Sequence, residues 1–90
     1  MSRYSVFLHR RALKSLEIMQ ELETKSKIKR TIESLAEYPL TLGQLDVKKL
    51  GGFDRAFRVR VGSYRIIFHV NKQERTIFVT NIEKRESVYE

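Results

Sequence analysis

The sequence predicts an α+β fold: an N-terminal strand, a two-helix hairpin, then a largely antiparallel four- to five-stranded sheet, in the order β-α-α-β-β-β-β. Three observations carry this. At Arg10 the apolar residues change from a short extended run to three- and four-residue spacing. Beyond Pro39 the extended pattern returns, so helices and strands come in runs rather than as repeated βαβ units. Finally, Gly62-Ser63 separates two alternating segments, which reads as a two-residue hairpin loop.

The elements follow in order. Tyr4 to His9 (YSVFLH) is short and β-prone, and forms the first strand. Ala12, Leu13, Leu16, Met19 and Leu22 make one apolar stripe, predicting a helix over roughly 10–23. A second helix is predicted from about Lys25 to Glu37, with Ile28, Ile32, Leu35 and Ala36 inward and Thr24 as N-cap. Pro39 ends it, because the residue before a proline avoids helical angles. Pro39 to Asp46 is a loop, Val47 to Leu50 a short strand, and Gly51-Gly52 a turn. Phe57 to Val61 and Tyr64 to Phe68 form the hairpin, and Thr76 to Ile82 is the last strand, reached through Asn71 to Arg75.

The hairpin FRVRVGSYRIIF is the most informative stretch. Glycine first in a two-residue loop suits a type II′ turn, and that loop length sets Val61 opposite Tyr64. Counting outward, one face carries Phe57, Val59, Val61, Tyr64, Ile66 and Phe68, and the other Arg58, Arg60, Arg65, Ile67 and His69. Arg60 then faces Arg65, an opposition that costs up to ~1 kcal/mol. Such a face is either ordinary solvated surface or a surface that normally holds a polyanion. The clustering of three arginines favours the second.

Composition narrows the class. Ninety residues make a single domain over 1–90, and 41% apolar with 32% charged residues is ordinary for a globular chain. Without cysteine there are no disulfides or thiolate metal sites. Met1-Ser2-Arg3-Tyr4 lacks the apolar core of a signal peptide, and a cytoplasmic protein is the expectation. Of the net charge of +7, all but one unit falls in residues 47–72, where Lys48, Lys49, Arg55, Arg58, Arg60, Arg65 and Lys72 face only Asp54. A localised basic surface draws nucleic acid, anionic membrane or an acidic protein.

Chemistry by elimination is limited. Two lone histidines do not make a metal site, there is no phosphate-binding glycine loop, and Glu17, Glu21, Glu33 and Glu37 read as solvated helix surface. No metal or other cofactor is expected. Arginine suits phosphate because its planar fork donates two hydrogen bonds and stays charged. The basic surface could bind RNA, or cleave it by holding the 2′-hydroxyl in line and stabilising phosphorane charge. Composition leaves both open.

The segment KKLGGFDRAFRVRVGSYRIIFHV at Lys48 to Val70, with KRESVYE at the end, resembles the RelE toxins of the RelE/ParE superfamily over almost the whole chain. The resemblance implies a type II toxin that is a ribosome-dependent, metal-independent mRNA endoribonuclease, inhibits translation and is silenced by a RelB-type antitoxin. By that likeness the paired basic strand residues fall on Arg58 and Arg60, the transition-state arginine on Arg65, and a second phosphate-binding arginine on Arg85. The tyrosine that stacks on the substrate base falls on Tyr89. Lys48, Lys49, Arg55, His69 and Lys84 are the expected further RNA contacts. The first paired positions are often lysines in the family; arginine cannot readily serve as a general base, which makes His69 or Tyr89 the candidates unless the reaction runs on positioning and electrostatics. The alternatives are a ParE-type toxin that binds DNA gyrase without cutting RNA, and a degenerate relative that keeps only antitoxin binding.

Overall fold

The computed structural model describes residues 3–50 and 56–84. Its elements are β1 (Ser5–Leu8), α1 (Arg10–Glu17), α2 (Leu22–Ser34), two 3-10 turns (Leu35–Glu37 and Leu40–Gly43), β2 (Val47–Lys49), β3 (Ala56–Val61), β4 (Tyr64–Asn71) and β5 (Thr76–Lys84). The strands form one five-stranded sheet in the order β1-β5-β4-β3-β2. Pairing is antiparallel except between β1 and β5, which run parallel. This is the expected α+β arrangement. No helix among the described residues is long and apolar enough to cross a membrane.

The hairpin register is the one its loop demands. Val61 pairs with Tyr64, Arg60 with Arg65, Val59 with Ile66 and Phe57 with Phe68. Gly62 has φ +59°, where a Cβ would be strained. Side chains therefore alternate as predicted. Val59, Val61, Tyr64, Ile66, Phe68 and Val70 are buried against Ala12, Leu16 and Met19 of the first helical segment and Ile28, Ile32 and Leu35 of the second. Each large side chain fully buried there contributes about 1.5–3 kcal/mol. This face holds the fold together.

The junction between the two helices differs from the sequence expectation. The first helix stops at Glu17 rather than near residue 23, and the second begins at Leu22 rather than Lys25. Glu21, not Thr24, is the N-cap residue, and its carbonyl accepts from the Lys25 N–H at 2.9 Å. Neither glycine nor proline marks this break. The chain tightens after Leu16, whose carbonyl accepts from the Met19 N–H at 3.3 Å, and this turns Met19 into the core. Ile18 and Leu22, by contrast, are 68% and 76% exposed. The apolar stripe thus continued past the point where the helix ended.

What anchors the break is a polar cluster. The Tyr64 hydroxyl donates to Glu21 Oε1 at 3.1 Å, and Lys84 Nζ lies 3.5 Å from Glu21 Oε2. Tyr64 is buried, and burial followed by its bond to Glu21 pushes its phenol above the ordinary tyrosine range. A backbone N–H bond, then the bonds from Tyr64 and Lys84, hold the Glu21 carboxyl below the usual glutamate range.

This cluster generates a pH prediction. Because Glu21 binds its proton less readily folded than unfolded, its contribution is fully present above the ordinary glutamate value. It is lost as pH falls through the lowered folded value. Urea midpoints measured from neutral to acid pH should show a shallower acid decline in Glu21→Gln than in wild type. Parallel curves would mean that the cluster does not stabilise the helix junction.

Candidate active site on the arginine face of the sheet

The strand alternation that buries Val59 and Ile66 turns Arg58, Arg60, Arg65 and Ile67 to the opposite face. Sheet register arranges that face in rows. One row runs Asp46, Arg60, Arg65, Glu83, since Arg60 donates its backbone N–H to the Asp46 carbonyl at 3.0 Å and Arg65 pairs with Glu83. The next row runs Lys48, Arg58, Ile67, Asn81.

The first row answers how two arginines tolerate direct opposition. Arg60 Nε donates to Asp46 Oδ2 at 3.1 Å, and an Arg65 terminal nitrogen donates to Glu83 Oε1 at 3.3 Å. Each guanidinium has a carboxylate on its outer side, so the row is electrically neutral. A bound polyanion is not needed to relieve the repulsion. The second row has no carboxylate, and Lys48 and Arg58 leave it at two positive charges.

The guanidinium donors are not all used. Arg58 Nε and Arg65 Nε are shielded from solvent and meet no hydrogen-bond acceptor among the described residues. A buried unpaired donor costs about 1–3 kcal/mol, more when charged. Two such donors on one face suit an anion with several oxygen acceptors.

Glu83 reaches this face through an irregularity absent from the sequence pattern. The β4–β5 register shifts between Ile67, opposite Asn81, and Phe68, opposite Val79, leaving Thr80 as an extra residue. Ile77, Val79 and Ile82 are consequently the buried positions of β5, with spacing two and then three. Unbroken alternation would have turned residue 83 to the helix side. Thr80 is held by its hydroxyl on the Ile67 carbonyl at 3.4 Å and by Arg11 Nε, which donates to the Thr80 carbonyl at 3.2 Å.

Other predicted contacts lie apart. His69 shares the arginine face, but four residues along β4 from Arg65 put it about 13 Å away, beside Phe78. Lys49 pairs with Phe57, and Lys84 with Tyr64, so both belong to the alternate set of positions that faces the helices. Arg55, Arg85 and Tyr89 lie outside the described residues. Asp46 and Glu83 were not anticipated. Their signal in the sequence was weak: single carboxylates bordering a basic segment. A cleft of ≈ 550 Å³ lies on the helix side of the sheet, lined by Ile18, Met19, Glu21, Tyr64 and Lys84 among others. It contains no arginine, so charge rather than concavity locates the candidate site.

Comparison with known proteins identifies the family. Residues 6–89 match the family described as ParE toxin of type II toxin-antitoxin system, parDE. The chain is 34% identical over 87 residues to a RelE1 toxin candidate of Methanocaldococcus jannaschii, covering 97% of this chain and 96% of that one. Its fold is similar to the archaeal RelE-RelB complex from Pyrococcus horikoshii OT3, with TM-score 0.78 and 26% identity over 94% of this chain and 97% of that chain. It is also similar to the RelB-RelE antitoxin-toxin complex from Methanococcus jannaschii, with TM-score 0.75 and 29% identity over 93% and 95%. With a family match across nearly its full length, a relative above 30% identity, and a basic arginine face on the shared fold, the chain belongs to the RelE/ParE family of type II toxin–antitoxin toxins.

Proposed function

We propose that this toxin is an mRNA endoribonuclease that acts on the ribosome, inhibits translation and is held inactive by a RelB-type antitoxin. The observation that carries the reading is the cluster of Arg58, Arg60 and Arg65 on one sheet face, two of which keep a guanidinium donor with no acceptor among the described residues. A phosphate between Arg60 and Arg65 would accept from both while loosening their bonds to Asp46 and Glu83. Exposed ion pairs of that kind are worth only about 0–1 kcal/mol, so the exchange is inexpensive. Arg65 then stabilises charge as the phosphorus becomes five-coordinate, and Arg58 and Lys48 hold the strand along the next row. Arg85 and Tyr89 enter through the family likeness, as a second phosphate donor and a base-stacking ring. The chemistry of this reading uses arginine charge and needs no metal.

The named partners of the solved relatives support a RelB-type antitoxin: both structures are toxin–antitoxin complexes. The family description favours a second reading, a ParE-type toxin that binds DNA gyrase without cutting RNA. Mapping mRNA ends on translating ribosomes with purified protein, beside a gyrase supercoiling assay, separates the two. Cleavage within codons carries the first reading; gyrase inhibition with intact mRNA carries the second. Inactivity in both assays leaves a relative that only binds antitoxin.

Three substitutions test this reading. Arg65→Ala and Arg85→Ala should each slow cleavage by ~10²-fold or more, the usual loss for one preorganised charge-stabilising donor. Circular dichroism and antitoxin binding should stay near wild type, and wild-type cleavage by both variants would misplace the site. Arg60→Thr removes the opposition to Arg65 but also the bond to Asp46. Each term is below about 1 kcal/mol and they have opposite signs, so the urea midpoint should scarcely move. RNA affinity should fall, with a shallower salt dependence. A large loss of stability with full activity would make Arg60 a residue of the fold.

A further inference from the structure

We propose that Glu83 is the general base that takes the proton from the attacking 2′-hydroxyl. This rests on the ribonuclease reading and fills a gap in it, because the three arginines cannot accept a proton at any working pH. The remaining candidates are few. His69 is about 13 Å along β4 from Arg65, too far for a group that must lie within hydrogen-bond reach of the reacting hydroxyl. Tyr64 belongs to the opposite face and donates its proton to Glu21. Among the described residues of this face, Asp46 and Glu83 remain; Tyr89 lies outside them.

Position separates these two. Asp46 precedes the edge strand β2 and bonds to Arg60. Glu83 lies on β5 directly opposite Arg65, and its oxygen sits 3.3 Å from the Arg65 terminal nitrogen. A phosphate taken up by Arg65 must therefore come to lie beside the Glu83 carboxylate, with the adjoining ribose within reach. The β5 bulge at Thr80 is what turns this side chain to the arginine face. The charged groups around Glu83 among the described residues are Arg65 opposite it, Arg60 and Asp46 beyond in the same row, and Arg58 and Lys48 in the next. Arg11 of α1 is held on the Thr80 carbonyl.

The step balances without a further reagent except water. Glu83 takes the 2′-hydroxyl proton as the 2′-oxygen bonds to phosphorus, and the bond from phosphorus to the 5′-oxygen breaks. The departing 5′-oxygen takes a proton from water, and the hydroxide so formed is neutralised by the proton that Glu83 gives up. The products are a 2′,3′-cyclic phosphate and a 5′-hydroxyl.

The test is the pH profile of single-turnover cleavage by the full chain on mRNA-programmed ribosomes. Glu83→Gln, which keeps an acceptor for Arg65, should slow cleavage 10²- to 10⁴-fold and abolish the acidic limb of the profile, without weakening mRNA binding. Glu83→Ala should be partly restored by added formate. An mRNA with sulfur in place of the bridging 5′-oxygen, which needs no acid for its leaving group, should remain slow with Glu83→Gln. His69→Gln and Asp46→Asn should keep the acidic limb whatever their rates. The proposal is overturned if Glu83→Gln keeps the wild-type rate or limb, if the sulfur substrate restores it, or if the limb disappears in His69→Gln or Asp46→Asn instead. If wild type itself cuts no mRNA, the ribonuclease reading falls first.

Discussion

The register of the β3–β4 hairpin is the constraint on which both the core and the candidate site depend. A two-residue loop with Gly62 at positive φ sets Val61 against Tyr64, and every later pair follows from that one. A slip of one residue would move Val59, Ile66 and Phe68 to the open face and carry arginines into the core. Burying unpaired charge costs several kcal/mol, so the slipped state is strongly disfavoured. The buried face thereby enforces the geometry of the arginine face, which itself contributes little to stability. The candidate site is positioned by apolar packing on the other side of a single layer of backbone.

Charge on the arginine face is arranged in two ways. Where Arg60 and Arg65 meet, Asp46 and Glu83 compensate them at the two ends of the row. Where Lys48 and Arg58 meet, no carboxylate of their row does so among the described residues. The compensated row balances its own charge and can still exchange its carboxylates for a stronger acceptor, since partly exposed ion pairs are weak. The uncompensated row supplies longer-range attraction for a polyanion.

A single extra residue in β5 connects these features. By shifting register at Thr80, the strand keeps Ile77, Val79 and Ile82 inward and still presents Glu83 outward. Bulges re-aim side chains at the cost of a ladder bond, and this one recovers part of that cost through the Thr80 hydroxyl and the Arg11 side chain. The Arg11 bond also ties α1 to the strand that carries Glu83. Disturbing the helix would therefore reach the site through the backbone of β5.

The period of the apolar residues was enough to predict the α+β class, the hairpin register and the face shared by Arg58, Arg60 and Arg65. Those features are local: alternation and loop length act within one strand pair, and no distant residue has to be known. The place where α1 ends was not legible, because the stripe of Leu13, Leu16, Met19 and Leu22 continues through the break. Only the packing of Met19 and the bonds from Tyr64 and Lys84 to Glu21, residues 43 and 63 positions away, select residue 18 as the stop. Likewise Asp46 and Glu83 read as ordinary acidic residues in the chain. Their partnership with Arg60 and Arg65 spans 14 and 18 positions, and for Glu83 it depends on a bulge that periodicity cannot announce. The sequence by itself determined which residues of the β3–β4 hairpin share a face. The tertiary structure decided which charges meet on it, because pairing between strands is set by backbone hydrogen bonds formed only when the whole sheet assembles.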